Sequence, residues 1–61
     1  MIRKGDRVFM HKPNRERHNK IIVGTVGEVL AARKDEDGIK YLVKFKGHSI
    51  PRHCESFEII K

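Results

Sequence analysis

The segment at residues 35–47, DEDGIKYLVKFKG, constrains the fold more than any other. It begins with three acidic residues and Gly38, a combination that favours a tight turn with positive φ. After the turn, Tyr41, Val43 and Phe45 alternate with Leu42, Lys44 and Lys46. A period of two is typical of a half-buried strand. The segment therefore predicts a hairpin whose second strand has an apolar face and a basic face, ending in a turn at Gly47.

The rest of the chain also has the pattern of short strands. A Gly5-Asp6 turn introduces a strand at Arg7–Met10, and residues 24–33 form a second, with Gly24 and Gly27 allowing a bend or a bulge. Ile21 to Val23 either return to the core or begin that second strand. Further along, the pattern predicts a short strand at residues 49–50, a helical turn at 53–56 and a closing strand at 57–60.

Length and periodicity together define the fold class. The chain has 61 residues, which is enough for one domain with one small core. No window of eleven or more residues has helical periodicity. We therefore expect an all-β domain, a small five-stranded SH3-like barrel spanning residues 1–61. An OB-fold is the second possibility, although it usually requires a longer chain.

The balance of charge indicates the class of partner. The net charge is +6 and the pI is about 9.9, which favours nucleic acid, an anionic membrane surface or an acidic protein. Residues 11–20 have a net charge of +3 and residues 39–53 a net charge of +4. The predicted binding residues come from these two segments: Lys12, Arg15, Arg17, Lys20, Lys44, Lys46 and Arg52.

The first basic segment, residues 11–20, contains no apolar residue except Pro13. We expect it to be a flexible loop that offers N–H donors to phosphate oxygens, which require charge but little geometry. Reversing the charge of Arg15 and Arg17 should then leave the fold intact.

Compartment is suggested by what the sequence lacks. The single cysteine excludes an internal disulfide and fits a reducing environment. No apolar h-region follows the basic N-terminal residues, and no apolar run approaches membrane-spanning length. We expect a cytoplasmic protein that does not enter a membrane.

Three families resemble parts of the chain, and all three share the SH3-like barrel. The hairpin at residues 34–48 resembles that of chromo-barrel and Tudor-like domains. Residues 4–8, KGDRV, with residues 24–29, GTVGEV, resemble KOW-type barrels of ribosomal and transcription-associated proteins. Residues 8–13, 27–29 and 42–45 are similar to the variable chain of ferredoxin–thioredoxin reductase. These resemblances support the fold more than any one function.

Several specific chemistries are not expected. A methyl-lysine cage requires clustered aromatic side chains. Chromo barrels have such residues after the central hairpin, where residues 50–57 of this chain contain one aromatic residue, Phe57. His48 and His53, close to Cys54, have the spacing of zinc ligands, but a second matching pair is missing. His11 and His18 could complete a set of ligands only by an accident of the fold. Cys54 beside His53 is not expected to form a catalytic pair, because adjacent residues on a strand point in opposite directions. We therefore expect no metal, no cofactor and no catalytic residue, with Cys54 a small core residue.

The resulting functional hypothesis is a non-catalytic basic module that binds DNA, RNA or nucleoprotein, or else an acidic protein. The alternative, implied by the variable-chain resemblance, is an accessory subunit that stabilises a redox enzyme. An active site assembled by oligomerisation, as in type II dihydrofolate reductases, has no supporting motif in this sequence.

Overall fold

The computed structural model describes all 61 residues, and its five strands form one antiparallel sheet. The strands are β1 (Arg7–Met10), β2 (Val26–Asp35), β3 (Gly38–Phe45), β4 (Arg52–Glu55) and β5 (Ile59–Ile60), with a 3₁₀ turn at Ser56–Glu58. Their order in the sheet is β4-β3-β2-β1-β5. The all-β prediction is confirmed. The hydrogen-bonded sheet is open, with β4 and β5 at its two edges.

Alternation along the strands builds the core. Every second side chain of β1 and β3 is buried, and the buried apolar cluster consists of Val8, Met10, Ile21, Val29, Tyr41, Val43, Phe45, Cys54 and Ile59. The predictions that Phe45 and Cys54 lie in the core are confirmed. Since the outward side chains of the same strands are mainly polar or basic, the sheet has one buried and one solvent-facing side.

Gly27 and the bend of β2 are separate features. A Cβ atom on Gly27 would lie 2.7 Å from Val43 Cγ1 and 2.9 Å from Phe45 Cδ1, so glycine is required for close strand packing. The irregularity in pairing comes later, between Val29 and Ala31. The sequence pattern predicts the bulge at the glycines. The structure places it at Leu30, where the chain inserts one extra residue against β3.

The fourth strand and the helical turn both lie three residues beyond their predicted positions. β4 begins after Pro51, which has no N–H to donate to a ladder. Its sequence is polar, and only Cys54 points into the core, opposite Tyr41. Pairing with β3 therefore imposes the strand without an apolar pattern of its own.

Near the end of the chain, a charged residue is buried and an aromatic residue is exposed, the reverse of what the sequence predicts. The 3₁₀ turn at Ser56–Glu58 buries Glu58 completely and leaves Phe57 61% exposed. In a continuous strand over residues 57–60, Phe57 would have faced the core together with Ile59, and Glu58 would have faced the solvent. Only Ile59 and Ile60 form the closing strand, which pairs with β1.

The loop at residues 11–20 is fastened to the domain, contrary to the expectation that only Pro13 could anchor it. The Asn14 carbonyl accepts the His18 N–H at 2.6 Å, which closes a turn, and the His18 side chain is buried. Arg17 Nη2 lies 3.8 Å from carboxylate oxygens of both Glu55 and Glu58. Charge reversal at Arg17 would therefore disturb the fold.

The N-terminal turn is fastened to β2. Asp6 accepts the Arg3 N–H through Oδ2 at 2.8 Å and lies 3.3 Å from Lys61 Nζ. Gly5, at φ +91°, donates its N–H to the Val29 carbonyl, and the Val29 N–H donates to the backbone carbonyl of Asp6. The turn thus extends the pairing of β1 with β2.

Candidate nucleic-acid interface

The outer side of the sheet carries an apolar row across three strands. Phe9 on β1 pairs with Ile60 of β5 on one side and with Val26 of β2 on the other. Directly opposed residues of an antiparallel pair share a face. Phe9 is 36% exposed and Ile60 46% exposed, so the row is open to solvent. It offers an aromatic ring held on a rigid strand.

Basic side chains border this row. In the next row, Arg7 of β1 and Lys44 of β3 lie on either side of Glu28 of β2. Lys46 follows β3 on the same face, with its backbone N–H bonded to the Val26 carbonyl. A groove of about 380 Å³ runs between these residues, lined by Gly5, Arg7, Val26, Gly27, Glu28, Lys44, Phe45 and Lys46. We call this surface, together with Phe9, the outer groove.

The two predicted lysines of the outer groove differ in freedom. Lys46 is exposed and makes no ion pair or side-chain hydrogen bond. Lys44 is half-buried, and its Nζ donates to the carbonyls of Phe45 and His48. Lys44 therefore steadies the turn after β3, whereas Lys46 is available to an external anion.

The other predicted basic residues lie elsewhere. Arg52, on the edge strand β4, pairs with the inward-facing Val43. It therefore lies on the inner face of the sheet, whereas Lys44 lies on the outer face. Arg17 and Arg52 line a cavity with His18, Pro51 and His53. Lys12, Arg15 and Lys20 are exposed in the loop at residues 11–20. The structure thus brings together Lys44 with Lys46 and Arg17 with Arg52, and it separates the seven residues into at least two groups.

Sequence reasoning did not assign Arg7 and Phe9 to the site. Their signal was present in Arg-Val-Phe-Met at residues 7–10, where the alternation that buries Val8 and Met10 necessarily turns Arg7 and Phe9 outward. Which outward residues of other strands lie beside them depends on register, and register is set by long-range pairing.

A second cluster lies inside the protein. His18, Cys54 and Glu58 are all buried, and one potential metal-ligating atom from each lies within 4.8 Å of the others. His18 Nε2 is 3.0 Å from Glu58 Oε2 and 3.0 Å from the His53 carbonyl oxygen. The loop, β4 and the 3₁₀ turn each contribute one of the three residues. Sequence reasoning started from His48, His53 and Cys54 and admitted His18 only through an accident of the fold. Cys54 and His18 belong to this group, whereas the side chains of His48 and His53 do not.

This cluster is unsuited to nucleophilic catalysis. Burial, with the Glu58 carboxylate as the next cause, raises the pKa of the Cys54 thiol to about 12. The thiol therefore remains protonated at neutral pH, and the thiolate is the nucleophilic form. Cys54 is also 1% exposed, so a substrate has no direct access to the sulfur.

Comparisons with known proteins give no assignment. No protein-family model matches the chain, and no curated protein or solved structure shows significant similarity to it. None of its helical segments has the length and apolar character needed to cross a bilayer.

Proposed function

We propose that this chain is a non-catalytic nucleic-acid-binding module of the SH3-like barrel type that binds single strands through the outer groove. The strand order, with β1 between β2 and β5 and a 3₁₀ turn before the last strand, supports the barrel assignment. The observation that carries the function is the exposed Phe9 ring between Val26 and Ile60, with Arg7 two residues away on β1 and Lys46 on the other side of Val26.

Single strands suit this arrangement for two reasons. Unpaired bases expose π faces that stack on aromatic side chains, a contact of about 1–3 kcal/mol per base. Lysine and arginine beside the ring neutralise the phosphates that join those bases. Duplex DNA hides its base faces, and this domain has no recognition helix to enter the major groove. Preference for sequence should therefore be slight.

The first experiment measures binding of a fluorescent single-stranded oligonucleotide, as DNA and as RNA, at low salt. Phe9→Ala should weaken binding about fivefold to 150-fold, which is the stacking free energy of about 1–3 kcal/mol expressed as affinity. Lys46→Ala should weaken it less and alike for all sequences. Lys34→Ala, at the opposite end of the β2–β3 hairpin, removes the same charge away from the groove and serves as the control.

Glu28 supplies a test in the opposite direction. It is exposed in the outer groove between Arg7 and Lys44, and its carboxylate repels phosphate. Glu28→Gln should therefore tighten binding while leaving the melting temperature nearly unchanged. No binding of DNA or RNA at low salt would refute the proposal, and equal losses for Lys34→Ala and Lys46→Ala would remove the groove from it.

A further inference from the structure

We infer that His18, Cys54 and Glu58 form a buried binding site for a divalent transition-metal ion, with zinc the best match to the donor set. The three residues come from separate parts of the chain, yet their side chains converge. The inference concerns a different part of the molecule from the outer groove and is independent of nucleic-acid binding.

The distances are close to those of a metal site. Zinc bonds of about 2.0–2.3 Å in tetrahedral geometry place ligand atoms roughly 3.3–3.8 Å apart. In this cluster the His18 and Glu58 atoms are 3.0 Å apart, and the ligating atoms of all three residues lie within 4.8 Å of one another. Small side-chain rotations therefore suffice to close the ligands around an ion.

Unsatisfied polar groups point to the same site. His18 Nδ1 and both carboxylate oxygens of Glu58 are buried without a well-directed hydrogen bond. His18 Nε2 faces the Glu58 carboxylate and the His53 carbonyl at equal distance, and a single N–H cannot be well aligned with both. Buried polar groups left unpaired are costly. A cation bound to Glu58 would compensate the buried carboxylate, which the His18 imidazole contacts only at one oxygen.

The donor set selects the metal. Imidazole nitrogen and thiolate sulfur suit zinc and its neighbours, whereas magnesium and calcium require oxygen ligands. Binding converts the Cys54 thiol to a metal thiolate and releases its proton to solvent. Glu55 contacts the same Arg17 guanidinium as Glu58 but is not one of the converging residues, so water would complete the coordination. His18 also lines a cavity with Arg17 and Arg52.

Metal binding at this site would add a shared ion to three elements that already meet, since β4 runs directly into the 3₁₀ turn and the N–H groups of His11 and Lys12 donate to the Glu58 carbonyl. The loop at residues 11–20, β4 and the 3₁₀ turn would share one ion, so binding should stabilise the folded state. Ligation through His18 Nε2 would replace the contact of that nitrogen with the His53 carbonyl.

Cobalt(II) is the probe for the test, because its spectrum reports the ligands. The purified chain, stripped with chelator, is titrated with cobalt under reducing conditions. We expect near-ultraviolet thiolate-to-cobalt charge-transfer absorption and the visible bands of a tetrahedral site, both removed by one equivalent of zinc. The melting temperature should rise when zinc is added.

Variants assign the ligands. Cys54→Ser should abolish the charge-transfer absorption, and His18→Gln or Glu58→Gln should weaken zinc binding at least about tenfold. His53→Gln changes an exposed neighbouring histidine whose side chain is outside the cluster, and it should behave as wild type. The wild-type spectrum decides the question even if a variant fails to fold. Absence of the thiolate band, including the case in which cobalt binds only through other histidines, would overturn the inference and leave His18 and Glu58 as a buried pair.

Discussion

At the scale of single residues, Gly27 shows how tightly this small core is closed. It faces inward at the point where β1, β2 and β3 approach, opposite Val8 on one side and Phe45 on the other. Of the three atoms that a Cβ at this position would meet first, two belong to the core side chains of Val43 and Phe45. The glycine is therefore a packing requirement, not a turn residue.

Overpacking a core usually costs about 1–3 kcal/mol. Gly27→Val should cost at least the upper end of that range, because the backbone of β3 must move as well as its side chains. Thermal melts followed by far-UV circular dichroism measure the loss. Ala31→Val, an exposed position on the same strand, is the matched control and should be nearly neutral. A melt of Gly27→Val equal to that of wild type would contradict the close approach of the strands.

Phe45 is the largest fully buried side chain in the domain. Phe45→Ala should lower the free energy of unfolding by about 3–5 kcal/mol, a large share of the stability of a chain this short. Urea titration measures the change. Phe57→Ala removes the same ring from an exposed position and should cost far less. Similar losses for the two variants would mean that the burial of Phe45 contributes little.

At the scale of elements, the N-terminal turn links stability to acid. The Arg3 N–H, followed by Lys61, holds the pKa of the Asp6 carboxyl below its ordinary value of 3.8. A lowered pKa in the folded state means that the stabilisation is present above pH 3.8 and is lost as the pH falls below it.

Asp6→Asn should therefore lower the melting temperature slightly at neutral pH and reduce the further loss on acidification below about pH 4. Melts of wild type and variant from strongly acidic to neutral pH would measure this. Asp37→Asn changes an exposed acid at the hairpin tip and is the control. An unchanged acid profile in Asp6→Asn would show that the turn does not depend on this carboxylate.

The elements that could be predicted from sequence are those with a local signal. β1 and the inward face of β3 follow from alternation, and their predicted residues are the observed ones. β4 could not be found in this way, since its strand conformation depends on pairing with β3. The burial of Glu58 is likewise a tertiary effect, because its partner His18 is 40 positions earlier in the sequence. The candidate sites share this dependence on register and long-range contact.

At the scale of the whole molecule, the positive charge is spread around the domain instead of lying on one face. Some basic groups already have partners within the chain, including Arg17 with Glu55 and Glu58, and Lys61 with Asp6. An external polyanion would therefore meet fewer free cations than the 14 lysine and arginine side chains of the sequence.

If about four phosphates are contacted, the slope of log K against log salt should be near −3 for a single strand. Lys46→Ala should make the slope less steep by about 0.7, whereas Arg17→Ala should change stability more than slope. Fluorescence titrations at several salt concentrations on one oligonucleotide measure both. A slope near zero would show that the phosphate backbone is not what the domain recognises.

The extra residue at Leu30 has a further consequence for β2. Before it, the odd-numbered residues Gly27 and Val29 face inward; after it, Ala31 pairs with Leu42 and the odd-numbered residues face outward. The extra residue thus reverses the alternation along β2: odd-numbered residues face the core before Leu30 and the solvent after it. Deleting Leu30 would make Val29 and Ala31 consecutive opposite Val43 and Leu42, so both halves of β2 would keep their inward and outward sides and only the local bulge would be lost.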